Sequence, residues 1–228
     1  MPGRFDRSRL VVLVVAGMAP AALAAPTGDA ARVDWAAGRV VAGGTSVADR
    51  HAPSPAVALG TSRRGAEQVA KRRIAAMLGG LPMASGGTVA DQLAGKADGK
   101  AGAARKARLD AAVEAAIAIA AEPETDGSWH VTLAVPLEAI RQALDEPRAL
   151  PAAGDGDPAV VVVEGVAGKP AIGWTINGAA AATLWVKDAP GWAKDAPRVK
   201  VGAASQGALT IDGKAGGPAT LYVLISRK

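Results

Sequence analysis

The 228-residue sequence predicts an α+β protein: two main helices packed on an antiparallel sheet, followed by a β-rich C-terminal region. Three observations predict it. Apolar residues recur at helical spacing from about Ser62 to Leu78, an Asp126-Gly127 turn sits between two alternating apolar runs, and short apolar runs separated by Gly, Pro or Asp follow Val160.

The chain begins with Arg4, Arg7 and Arg9 ahead of an apolar run from Leu10 to Ala22, which ends in the small-residue triplet Ala22-Leu23-Ala24. That order predicts a secretory signal peptide over residues 1–24, cut after Ala24. The apolar run falls short of the roughly 20 residues a bilayer-spanning helix needs. A periplasmic or secreted mature protein is expected, with no transmembrane segment. Residues 25–146 form an α+β domain on this reading, 147–158 a linker or loop, and 159–228 the β-rich region.

Val33-Asp34-Trp35 through Val40-Val41 predicts a strand or a pair of short strands, interrupted by Gly38. The stretch from His51 to Pro55 breaks it. A helix is expected from Ser62 as N-cap to a stop at Gly79-Gly80, with Ala66, Val69, Ala70, Arg73, Met77, Ile74 and Leu78 along one stripe. Its polar face carries Arg63, Arg64, Lys71 and Arg72. The glycine-rich Leu81 to Ala101 reads as a loop with a helical turn around Val89 to Leu93, and Ala103 to Ala112 as a second helix. Asp126-Gly127 then pairs Ala116 to Glu122 with Ser128 to Val135 as a hairpin. In its second strand Trp129, Val131, Leu133 and Val135 share one face, while His130, Thr132 and Ala134 share the more polar one. Leu137, Ile140, Ala143 and Leu144 space a short helix. The later runs, Val160–Val163, Ile172–Ile176, Thr183–Val186, Val199–Val201, Leu209–Ile211 and Leu221–Ile225, predict an antiparallel β region.

Composition narrows the chemistry. With no cysteine, the chain has neither disulfides nor thiolate metal ligands, nor a lipid-modifiable residue at the signal cleavage site. The net charge of +5 falls to +3 once the signal peptide is removed. That charge is uneven: Gly60 to Leu109 holds ten Lys or Arg against three Asp or Glu, and the remainder is mildly acidic. In an exported protein such a basic middle meets head groups, envelope polymers and acidic protein faces rather than nucleic acid.

Few residues suit catalysis. His51 and His130 are the only histidines and lack an accompanying nucleophile signature or zinc set. Glu122, Glu124 and Asp126 cluster at the hairpin turn, and Asp155 and Asp157 sit in the linker, in composition typical of solvated turns. A small hydrolase using Glu122 to Asp126 with His130 is the enzymatic alternative. Gly165-Val166-Ala167-Gly168-Lys169 lacks the full phosphate-loop pattern, and Pro170 follows the lysine. Trp174, Trp185 and Trp192 suit either core packing or a glycan-binding groove.

The order of strand, basic helix, second helix and DG hairpin resembles the LPP-type outer-membrane lipoproteins and the FlgT N-terminal domain of flagellar assembly. Four segments carry the likeness: Val33-Asp34-Trp35 with Gly38 and Val40, the helix RRGAEQVAKRRIAAML from Arg63, DGSWHVTLAVPL from Asp126, and VVVVEGVAGKPAIGWTIN from Val160. The resemblance implies a small envelope domain without known catalysis, in some members part of a periplasmic ring around a flagellar motor. This chain departs from the lipoproteins in lacking the acylated cysteine. The functional expectation is a non-enzymatic envelope protein that binds envelope or flagellar proteins, with no catalytic residue, cofactor or metal. Arg63, Arg64, Lys71, Arg72 and Arg73 are the expected contact residues, and peptidoglycan or another glycan is the alternative ligand.

Overall fold

The structure, a computed structural model, describes residues 30–94, 99–145, 157–212, 216–217 and 219–227. The expected signal peptide, and residues 147–156 of the expected linker, lie outside the described residues. The fold is α+β, with two sheets.

The first sheet is antiparallel. β1 (Arg32–Asp34) turns into β2 (Arg39–Ser46) through Gly38, whose φ of +63° suits glycine, and Asp34 Oδ1 accepts the Ala37 amide at 3.0 Å. The Val-rich stretch is thus a pair of strands. β3 (Ile117–Pro123) and β4 (Trp129–Pro136) form the DG hairpin. Gly127 takes φ +82° in its turn, and β3 bulges between Ala118 and Ala120. The order is β1-β2-β4-β3, with Val40 opposite Val135 and Ser46 opposite Trp129.

α1 (Pro55–Leu78) lies across β2 and β4. It buries Ser62, Ala66, Ala70, Ile74 and Leu78, every fourth residue. The small side chains at the start of that stripe let helix and sheet approach closely: a Cβ on Gly44 would overlap the Ala66 carbonyl and the Ala70 amide. The helix begins before the expected Ser62. Ser54 is the N-cap, accepting from the Val57 amide at 3.3 Å, and Pro55 follows at the helix start, where a missing N–H costs nothing. Ser62 is instead interior and buried, its hydroxyl donating to the Ser46 carbonyl at 2.5 Å.

α2 (Val89–Ala94) is the expected helical turn, and α3 (Gly99–Glu114) the second helix, longer than expected. α3 packs chiefly on α4 (Leu137–Leu144), with lesser contacts to α1 and α2, rather than lying over the strands. Its basic residues end α4: Arg105 Nε donates to the Leu144 carbonyl at 3.1 Å, and Arg108 Nε to that of Ala143 at 2.9 Å. Cations at the open carbonyls of a helix C-terminus are favourable. Part of the basic middle therefore serves the fold.

The second sheet corrects the antiparallel expectation. Its strands are β5 (Val160–Val166), β6 (Thr175–Ile176), β7 (Ala179–Ala180), β8 (Ala182–Val186), β9 (Arg198–Ser205), β10 (Ala208–Ile211) and β11 (Leu221–Ser226), in the order β7-β6-β10-β9-β5-β11-β8. β5 runs parallel to both β9 and β11, β8 parallel to β11, and β6 parallel to β10; the pairs β9/β10 and β6/β7 are antiparallel. Apolar run length and spacing mark strands but carry no direction. One face packs Val161, Val163, Trp174, Trp185, Leu209 and Leu224, and the other Val162, Val223 and Ala193.

Backbone bonds join the two sheets. The Trp185 amide donates to the Trp35 carbonyl at 3.1 Å, and the Ala84 amide to that of Ile172 at 2.8 Å. Trp35 packs against both cores.

Candidate functional site

The five cations expected to form one contact surface occupy different environments. Arg63 pairs with Glu67 one turn on at 3.1 Å, and its guanidinium lies 5.3 Å from the centre of the Trp129 ring. Lys71 reaches across to Glu114 of α3 at 2.6 Å, with its side chain largely buried. Arg73 turns toward the sheet and donates to the Gly43 carbonyl at 2.8 Å. These three hold α1 to its neighbours. Arg64 and Arg72 are exposed, and among the described residues neither has an ion pair; Arg64 Nη2 meets only the Thr61 hydroxyl, at 3.5 Å. Eight residues separate them on the helix, about 12 Å along its axis. Gln68 lies midway on the same side and is exposed.

The hairpin acids serve their own turn. Asp126 Oδ1 accepts from both the Ser128 hydroxyl at 2.6 Å and the Ser128 amide at 2.9 Å. Those two bonds hold its carboxyl below the usual range, the side-chain bond contributing most. Glu122 stands opposite His130 in the strand register. His130 Nδ1 lies 3.2 Å from the Thr45 hydroxyl, on the face where Thr132 and Ala134 are buried as well. His51 is exposed in the segment before α1, and its backbone amide donates to Asp49. Asp157 is half-buried, and Asp155 falls outside the described residues. Among the described residues no three His, Cys, Asp or Glu gather as metal ligands.

The three C-terminal tryptophans divide too. Trp174 and Trp185 are core residues, ring centres 5.7 Å apart and tilted by 49°. Trp192 alone is displayed, 61% exposed on the 3₁₀ turn Gly191–Ala193 that buried Ala193 anchors.

One feature had no signal in the sequence, because distant segments build it. A cleft of about 510 Å³ opens where the two sheets meet. Val33, Trp35, Met77, Leu81, Pro82 and Pro170 wall it, and Lys169 is the charged residue in its lining. Periodicity finds each element but not which ends converge.

No protein-family model matches the chain, and no curated protein matches it either. No helix among the described residues is long and apolar enough to cross a membrane.

Proposed function

We propose that this is an exported, non-catalytic envelope protein that works by binding, within a periplasmic or flagella-associated assembly. The exposed side of α1 is its contact surface. The observation that carries this reading is the pair Arg64 and Arg72: exposed, on one side of the helix and without ion pairs among the described residues. A cation committed to an internal carboxylate has little left for a partner, whereas an uncommitted pair steers and registers an acidic face. The envelope setting rests on the signal-peptide pattern and the flagellar one on the resemblance of the segment order. Of the five cations first singled out, Arg64 and Arg72 contact the partner, while Arg63, Lys71 and Arg73 fix the helix that presents them.

In-cell crosslinking of the tagged mature protein, with mass spectrometry of what is captured, tests it. Reversing both charges, Arg64→Glu with Arg72→Glu, abolishes capture of an envelope or flagellar protein while the circular dichroism spectrum stays unchanged. Undiminished capture by the folded double variant overturns the assignment. Displayed Trp192 favours a second reading, in which a glycan stacks on the indole. Sedimentation with purified cell wall separates the two.

A further inference from the structure

We propose that the cleft between the two sheets is a binding site for a single-chain amphiphile with an anionic head group, a carboxylate or a phosphate monoester. This site is separate from the exposed side of α1 and does not depend on it.

The walls come from four places in the chain: β1, the C-terminal end of α1, the segment that follows it, and the loop after β5. The volume of about 510 Å³ falls within the roughly 300–1,000 Å³ of small-molecule sites. The residues lining it are far fewer than the roughly 20–30 per side of a protein–protein interface. The occupant is therefore a small molecule. Its body is apolar, because aliphatic, proline and indole surface makes up the wall. Met77, unbranched and adaptable, tolerates the several conformations of a flexible chain.

Lys169 decides the head group. It is exposed, lines the cleft and has no ion pair among the described residues. Its position is set by the residue before it. Gly168 takes φ +144°, and a Cβ there would stand 3.6 Å from the Trp174 ring and 3.9 Å from that of Trp185. The loop is thus seated on the buried indole pair, and the next residue is held beside the cleft. Of the glycines in Gly165-Val166-Ala167-Gly168-Lys169, Gly165 (φ +79°) lies in β5 at the bulge against Ile225 and Ser226. Gly168 lies in the loop that follows, which leads to β6 and not to a helix whose amides could cradle a nucleotide.

Isothermal titration of the full mature chain with dodecanoate, monododecyl phosphate and neutral dodecanol tests the proposal. Saturable binding is expected, with at least one anion about fivefold tighter than the alcohol, the effect of one solvent-exposed ion pair. The tighter anion identifies the head group. Lys169→Gln removes the preference for anions and leaves dodecanol affinity unchanged. Pro82→Trp, at an exposed wall position, fills the cleft and weakens all three probes. Absence of saturable binding to the folded protein, or an anion preference that survives in Lys169→Gln, overturns the proposal.

Discussion

In the first sheet Val131, Leu133 and Val135 of β4 face α1, and the opposite face is left to His130, Thr132 and Ala134. In the second, β5 sends Val161 and Val163 to one core and Val162 to another, and β11 does the same with Tyr222 and Leu224 against Val223. Thr132 and Ala134 are buried too, so what differs is side-chain size and polarity. Large apolar residues on the α1 face only write an alternating sequence, whereas large apolar residues on both faces write an unbroken run such as Val160 to Val163. The difference extends to connectivity. Antiparallel neighbours β3 and β4 are joined by a turn with its own chemistry, but the parallel neighbours β5 and β11 are separated by five other strands. Local order is encoded locally, and distant order is not.

Three substitutions sharpen or break that contrast. Trp185→Ala empties the ring contact with Trp174 in the second core and removes about 3–5 kcal/mol of stability, the usual cost of deleting a buried aromatic. Urea unfolding followed by circular dichroism reads it. Because Trp35 packs on both cores, the loss should shift one cooperative transition rather than split it; two separate midpoints would show that the sheets fold independently. Gly44→Ala acts on the first sheet, forcing α1 off β2 at a cost of about 1–3 kcal/mol. An unchanged midpoint would mean that the helix slides without penalty.

The smallest effect is pH-dependent. The Asp126 carboxyl is depressed in the folded chain, so its contribution is present above the ordinary carboxylate value and is lost as pH falls through the lower, folded one. Asp126→Asn therefore lowers the thermal midpoint at neutral pH, and its difference from the parent protein shrinks in acid. Equal differences at pH about 7 and about 3 would assign the effect to turn geometry rather than charge.

Much of the first sheet was legible. Asp126-Gly127 marked the hairpin, and Leu137, Ile140, Ala143 and Leu144 marked α4, because both signals lie within a few residues of what they specify. The start of α1 was missed because His51 to Pro55 read as a break. Ser54 and Pro55 are the entry signal itself, since proline is excluded from helix interiors but favoured at the first turn. Strand positions after Val160 were largely recoverable. Their directions were not, as among the described residues no α-helix stands between the parallel neighbours to mark a crossover. The α1 cations were visible as a group, but their division was not. Glu114 and Gly43, the partners of Lys71 and Arg73, come from elements far away in the chain. The cleft was invisible for the same reason.

The strand order of the second sheet also sets a timetable. β11 lies between β5 and β8 yet is the last to be synthesised of the eleven strands among the described residues. Until Leu221–Ser226 arrives, β5 and β8 each present an unpaired edge, and β5 also exposes its row of valines. A chain that crosses a membrane N-terminus first would hold that half-built surface open while the remainder followed, the interval in which unpaired strands aggregate. On the export route proposed above, that surface would need covering for the interval, and loss of a periplasmic holding chaperone would lower the yield before any change in the finished fold.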